Sequence, residues 1–216
     1  MDAGRKQGMI QIQSVEEPFK EPELVGATFG VLKRAGAMGL YNKAIPRLDF
    51  AAFRDVVRSV SRAGIGREAE LFTATRSLKD FDSGELLRSI ERLKDALEES
   101  PAPDFEWLRL VELFEPEPAE LAALLGISLS SMRRYSSKER ETPDDVAVRL
   151  HFLALLTGDL AGAYNDMGVR AWFRRRRSLL DGKAPRQLLR GDWSPDEPGP
   201  ERLRALARSL ATSSAT

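Results

Sequence analysis

The chain has 216 residues, and its 33 basic and 33 acidic side chains give a formal net charge of zero. It contains no cysteine, which excludes disulfides and thiolate metal sites, and its one histidine, His151, excludes a histidine-rich zinc site. A net charge of zero does not favour non-specific binding of nucleic acid over the whole protein surface, but it allows a local basic face.

Hydrophobic residues make up 42% of the chain and charged residues 31%, which is typical of a soluble globular protein. Ala, Leu, Arg and Glu dominate the periodic stretches and strand patterns are sparse, so we predict an all-α fold. No apolar run is long enough to span a bilayer, and the first residues lack the apolar core of a signal peptide. We therefore expect a cytoplasmic protein that does not bind membranes.

The N-terminal residues 1–22 are polar and contain glycine and proline, so we predict a flexible tail in which 9–15 could add an edge strand to a partner. Residues 23–102 are predicted to form a helical region of unknown role. Its glycines lack the spacing of a phosphate-binding loop. Residues 46–49 resemble a helix entry whose last residue, Asp49, is the predicted N-cap, and a second short helix is predicted over 68–78.

A strongly amphipathic helix is predicted after Asp82, which with Glu85 forms the pattern of a capping box. Apolar residues then recur on one face at Leu86, Ile90, Leu93 and Leu97. We favour a place in the core for this face. The same face is also where a homodimer, which we expect, would form. Prolines at 101 and 103 mark a domain boundary, and we place the next domain at 103–163.

The segment 118–138 predicts a helix-turn-helix. Gly126 follows the first short helix, where a residue free to adopt positive φ closes the turn, and Ser128 is a good N-cap for the second helix. The polar side chains of the second helix suit phosphate oxygens and base edges in a major groove. The predicted DNA-binding residues are Ser128, Ser130, Ser131, Arg133, Arg134, Ser137 and Lys138. The alternative is an ordinary helical hairpin whose arginines lie on a solvated face.

The following helix, predicted over 144–156, is apolar nearly all round and should be the buried centre of this domain. His151 lies inside it without a nucleophile arranged beside it, so we interpret it as structural. The sequence offers no phosphate loop, no metal cluster and no nucleophile paired with a base. We therefore expect a protein that is not an enzyme, with no catalytic residues, metal or cofactor.

Residues 164–216 carry a distinctive motif. An Ala171-Trp172-Phe173 run follows Asp166, and a Gly182-Lys183-x-Pro185-x-x-Leu188-Leu189 run follows Leu179. In this order after a helix-turn-helix, the motif resembles the C-terminal signature of the MbcA/ParS/Xre antitoxin family. The resemblance covers residues 117–210.

The resemblance implies an Xre-like helix-turn-helix domain followed by a small helical toxin-binding domain at 164–216. It further implies a type II antitoxin whose partner is a RES-domain toxin, an enzyme that consumes NAD, and whose complex binds operator DNA to repress its own operon. The residues it implies for toxin binding are Trp172, Phe173, Arg174, Arg175, Gly182, Lys183, Pro185, Leu188 and Leu189. Core packing is favoured for Trp172. We expect removal of 201–216 to abolish neutralisation and to leave the helix-turn-helix folded.

Two other hypotheses remain at this point. One is a plain helix-turn-helix transcriptional regulator whose N-terminal hundred residues dimerise or sense a ligand. The other is an enzyme, which the sequence supports least because its paired carboxylates, Asp144 and Asp145, lie where a helix N-terminus favours acids.

Overall fold

The computed structural model describes residues 10–66 and 82–213. These residues are mostly helical and include one short two-stranded sheet, so the predicted all-α class is confirmed apart from that sheet. The chain divides into two compact units between Ala102 and Pro103. The helix predicted over 68–78 lies outside the described residues.

The N-terminal unit contains five described elements: β1 (Ile12–Val15), α1 (Pro22–Ala37), β2 (Ile45–Leu48), α2 (Phe50–Arg62) and α3 (Ser83–Glu99). The strands are parallel, with Ile12 opposite Ile45, and α1 makes the crossover that parallel strands require. The edge strand predicted to pair with a partner therefore pairs within the chain. Its pairing strand occupies the segment where the sequence predicted a helix entry.

The folded N-terminal unit includes much of the predicted flexible tail 1–22. Besides β1, the side chain of Phe19 is fully buried, with its ring centroid 5.2 Å from that of Phe53. An aromatic ring with this burial contributes strongly to the stability of a small core. The polar residues and prolines around Phe19 led the sequence analysis to predict a flexible tail instead of a part of the core.

The apolar face of α3 packs against α1 and is buried, as the amphipathic pattern predicted. The helix begins where Asp82 accepts a hydrogen bond from the backbone N–H of Glu85 at 2.8 Å, and Asp49 caps α2 in the same way. Arg34 of α1 pairs with Glu98 of α3 at 2.6 Å. Because its apolar face is used inside the unit, α3 offers little surface for a dimer, and the homodimer stays a prediction.

The C-terminal unit consists of seven described α-helices and one 3₁₀ turn: α4 (Pro103–Leu113), α5 (Pro118–Leu124), α6 (Leu129–Ser136), α7 (Asp144–Ala161), α8 (Asp166–Arg174), the 3₁₀ turn (Ser178–Leu180), α9 (Pro185–Leu188) and α10 (Pro198–Ser213). The central helix α7 is buried along almost its whole length and packs against α4 and α10. It runs through Gly158 to Ala161, beyond the predicted end at 156, because neighbouring helices enclose this last turn.

Ion pairs involve buried side chains in the core of the C-terminal unit. His151 Nδ1 of α7 lies 2.6 Å from Glu106 Oε1 of α4, and both side chains are buried. Arg149, whose side chain is only 5% exposed, pairs with Asp145 and with Asp192. Buried charges persist when partners replace the water they lose, which places these residues in the structural framework.

A single hydrophobic core joins the predicted domains 103–163 and 164–216. It extends from Trp107 of α4 through α7 to Leu203 and Ala207 of α10. This shared core argues against the expectation that removal of 201–216 leaves the helix-turn-helix folded, because truncation at this point would expose the face of α7 that α10 covers.

The turn between α5 and α6 is joined to the segment after α9 by close backbone packing. Gly126 has φ +70°, and a Cβ at this position would overlap the carbonyl oxygen of Gly191. Next to it, the indole N–H of Trp193 donates to the carbonyl oxygen of Leu124 at 2.8 Å. The end of α5 and residues 191–193 are thus held in one arrangement.

We predict that Gly126→Ala destabilises the protein more than Gly182→Ala. Both glycines have positive φ, which costs an alanine about 1–2 kcal/mol, but only at Gly126 does the added methyl meet backbone atoms. All three tryptophans lie in the C-terminal unit, so urea unfolding followed by tryptophan fluorescence reports on that unit. Equal losses for the two variants would contradict the close approach at Gly191.

Candidate DNA-binding helix and partner-binding turn

The two helices of the predicted helix-turn-helix are present and joined by a short turn. Leu121 and Ala122 of α5 and Met132 and Tyr135 of α6 face the core. The side chain of Ser128 caps α6 by accepting a hydrogen bond from the backbone N–H of Ser131 at 3.0 Å. Burial of these apolar residues leaves the opposite face of α6 towards solvent.

The exposed face of α6 presents two arginines. Arg133 and Arg134 are exposed, and no ion pair links either side chain to another residue in the described parts of the chain. Ser130 is exposed one turn earlier, and its hydroxyl lies 3.0 Å from that of Ser128. A helix with free guanidinium groups on its outer face has the chemistry needed to contact phosphates and guanine edges.

Four of the other predicted DNA-binding side chains already make contacts within the protein. Ser128 and Ser131 share the hydrogen bonds of the helix cap, and the Ser137 hydroxyl donates to the carbonyl oxygen of Arg134 at 3.3 Å. Lys138 has φ +61°, and its ammonium group lies 2.9 Å from Asp104. The structure therefore concentrates the available donors at Arg133 and Arg134.

Four of the residues implied for toxin binding are buried. Trp172 and Phe173 are 1% and 0% exposed and meet edge to face with their ring centroids 5.4 Å apart, and Pro185 and Leu189 are also in the interior. The guanidinium of Arg177 covers the Trp172 ring at 4.9 Å. Because these side chains are buried, they have no exposed area for direct contact with a partner. They support the exposed residues around them from the interior.

The remaining implied residues lie at the surface, although with different roles. Arg174 is held by the carboxylates of Glu120 on α5 and of Glu117 immediately before that helix, and its hydrogen bonds to Glu120 raise the pKa of this guanidinium. Arg175, Gly182 and Lys183 are exposed, and Leu188 is partly buried.

The exposed segment between α8 and α9 also contains Leu179, which is 68% exposed and is not among the toxin-binding residues that the sequence implied. Its neighbour Leu180 is buried, and the two are part of one 3₁₀ turn. A Leu-Leu pair does not reveal which member faces outwards, so the sequence signal was ambiguous. We call Arg175, Leu179, Gly182 and Lys183 the turn surface.

The turn surface is fixed by two residues with positive φ and by an arginine from α10. Asp181 and Gly182 have φ of +54° and +74°, and the backbone N–H of Gly182 donates to the carbonyl oxygen of Arg177. Arg202 donates to Asp181 at 2.9 Å and to the carbonyl oxygen of Leu179 at 2.8 Å. The hydrogen bond and charge of Arg202 lower the pKa of the Asp181 carboxyl.

Residues 10–66 and 82–213 offer neither a metal-binding cluster nor a single membrane-spanning helix. No group of three or more His, Cys, Asp or Glu side chains there is placed to hold a metal ion. No single helix in this part of the chain is long and apolar enough to cross a membrane. Only α7 and α8 taken together meet that criterion, and they are bent by 115° where they meet.

Comparisons with protein-family models, curated proteins and solved structures found no match to this chain.

We predict that Arg202→Gln raises the pKa of Asp181 towards the ordinary aspartate value, because the variant loses the charge and the hydrogen bond that stabilise the carboxylate. When folding lowers the pKa of a carboxyl, its ionised form stabilises the folded state at pH values above the pKa of the unfolded state. This stabilisation is lost as the pH falls through the pKa of the folded state. NMR titration of the Asp181 carboxyl carbon measures the change. Arg208→Gln is the control, since Arg208 pairs with Asp159. An unchanged Asp181 titration in Arg202→Gln would refute the assignment.

Proposed function

We propose that this protein is a non-enzymatic antitoxin that binds operator DNA through α6 and a RES-domain toxin through the turn surface. One observation carries the DNA-binding part: α6 is capped by Ser128, packed through Met132 and Tyr135, and presents Arg133 and Arg134 to solvent. A short, rigidly packed helix with free arginines is the arrangement by which a recognition helix enters the major groove.

Toxin binding is supported by the C-terminal motif that resembles the MbcA/ParS/Xre family and by the form that this motif takes. Its aromatic and proline residues are buried beneath a turn that exposes Arg175, Leu179 and Lys183. An exposed leucine flanked by cations is a suitable contact for an acidic rim with an apolar centre on a partner. The proposed toxin-binding residues are therefore those of the turn surface, with Trp172, Phe173, Pro185 and Leu189 supporting it.

A plain transcriptional regulator is the second candidate, and one observation favours it. The described residues of the N-terminal unit, 10–66 and 82–102, include a core of their own that is built from α1, α2 and α3, and an additional sensing or dimerisation function would require such a core. Co-expression with the neighbouring open reading frame separates the candidates. A stoichiometric complex whose partner is lethal alone supports the antitoxin, whereas DNA binding without such a partner supports the regulator.

For DNA binding, we expect Arg133→Ala and Arg134→Ala each to weaken binding to the DNA upstream of the gene. An arginine that reads a base should cost about 1–3 kcal/mol and relax specificity, while one that contacts phosphate should mainly reduce the salt dependence. Fluorescence anisotropy with upstream and scrambled duplexes distinguishes these effects. Wild-type affinity in the double variant would refute the assignment of α6 as the recognition helix.

For toxin binding, we expect the charge reversal Arg175→Glu with Lys183→Glu to weaken the complex at least tenfold, about 1.4 kcal/mol, because both cations are exposed at the proposed contact. The readouts are affinity for the product of the neighbouring gene, and growth and NAD content of cells that express both proteins. Arg133→Ala with Arg134→Ala is the matched control, which should lose DNA binding and keep neutralisation. Full protection by the charge-reversed variant would exclude the turn surface as the toxin contact.

A further inference from the structure

The first helix of the helix-turn-helix lacks the charge that its proposed position requires. In helix-turn-helix proteins this helix crosses the phosphate backbone of DNA. Here α5 contains no lysine or arginine, and two carboxylates, Glu117 and Glu120, stand at its start. An acidic helix repels phosphates, so α5 by itself is a poor surface for the backbone.

Part of this negative charge is neutralised by Arg174, at the end of α8. Its Nε lies 3.1 Å from both carboxylate oxygens of Glu120, and its Nη2 bonds to Glu117 and Glu120. Because two carboxylates share one guanidinium, the cluster keeps a net negative charge. Arg174 is occupied by these bonds and is therefore a weak candidate for a direct phosphate contact.

Two further arginines, Arg186 and Arg190, lie beside α5. They line a cleft of about 390 Å³ together with Ala123 and Leu124 of that helix and with the Arg174 cluster. Both are exposed, and neither forms an ion pair with another residue of the described segments. With these two side chains included, the charge around the cleft becomes positive.

The position of this pair relative to α5 is fixed by the backbone. Arg190 immediately precedes Gly191, whose carbonyl group packs against Gly126 in the turn. The Trp193 indole then donates to the carbonyl oxygen of Leu124. The segment that carries these cations is thus attached to α5 and to the turn of the helix-turn-helix through short, specific contacts.

We propose that Arg186 and Arg190 bind backbone phosphates of the duplex that α6 reads, and so supply the cations that α5 lacks. The inference rests on the proposed DNA binding and deepens it. Arg186 of α9 and Arg190, which follows α9, are thereby assigned to the DNA-binding surface. Because phosphate contacts carry no direct sequence information, the pair should contribute equally to binding of specific and unrelated DNA.

The test compares full-length wild type with Arg186→Ala/Arg190→Ala. Binding is measured by fluorescence anisotropy over a series of NaCl concentrations, with an upstream duplex and a scrambled duplex of equal length. We expect affinity for both duplexes to fall several-fold and by the same factor. The slope of log K against log salt should decrease in magnitude by about 2, since each phosphate contact contributes about 0.9. Arg186→Lys/Arg190→Lys should retain the wild-type slope, because an ammonium group also neutralises phosphate.

Arg88→Ala/Arg92→Ala is the charge-matched control, since both arginines are exposed on α3 in the N-terminal unit. A slope reduced equally in this control would show a general charge effect and overturn the inference. An unchanged slope in Arg186→Ala/Arg190→Ala also overturns it.

If Arg133→Ala/Arg134→Ala still loses DNA binding when the slope of Arg186→Ala/Arg190→Ala is unchanged, the proposed recognition helix stands. Absence of wild-type binding to either duplex would overturn both, and loss of toxin binding alone would assign the cleft to the toxin.

Discussion

The contact between the turn of the helix-turn-helix and residues 191–193 is the constraint on which the C-terminal unit depends. Because Gly126 has no side chain, the carbonyl group of Gly191 can occupy the space that a Cβ atom would fill. The Trp193 indole, two residues later, donates a hydrogen bond to the carbonyl oxygen of Leu124. Arg149 adds an ion pair from α7 to Asp192. Together these interactions make the proposed DNA-binding and toxin-binding parts one packed body.

This joined arrangement changes how the family-like motif is understood. Trp172 and Phe173 stabilise the C-terminal unit from its interior, and the residues of the turn surface face the solvent. The proposed toxin contact at the turn surface and the proposed DNA contact at α6 are thus both supported by one continuous core.

The sequence predicted those elements whose formation depends on near neighbours. Helix caps at Asp82 and Ser128, the positive φ at Gly126 and the buried face of α3 all follow from residues within one or two helical turns, and the structure contains each of them. The exposed arginines of α6 were predictable for the same reason, because apolar residues on one face leave their neighbours to solvent. The all-α class follows from the sum of these local patterns.

Tertiary structure decided everything that depends on distant residues. The pairing of β1 with β2, the burial of Phe19 and the merging of two predicted domains into one core arise from contacts between segments far apart in sequence. So do the neutralisation of Glu120 by Arg174 and the position of Arg190 beside α5. Periodicity and capping determine which face of a helix is apolar, but only the close packing of complete side chains determines which partner covers that face.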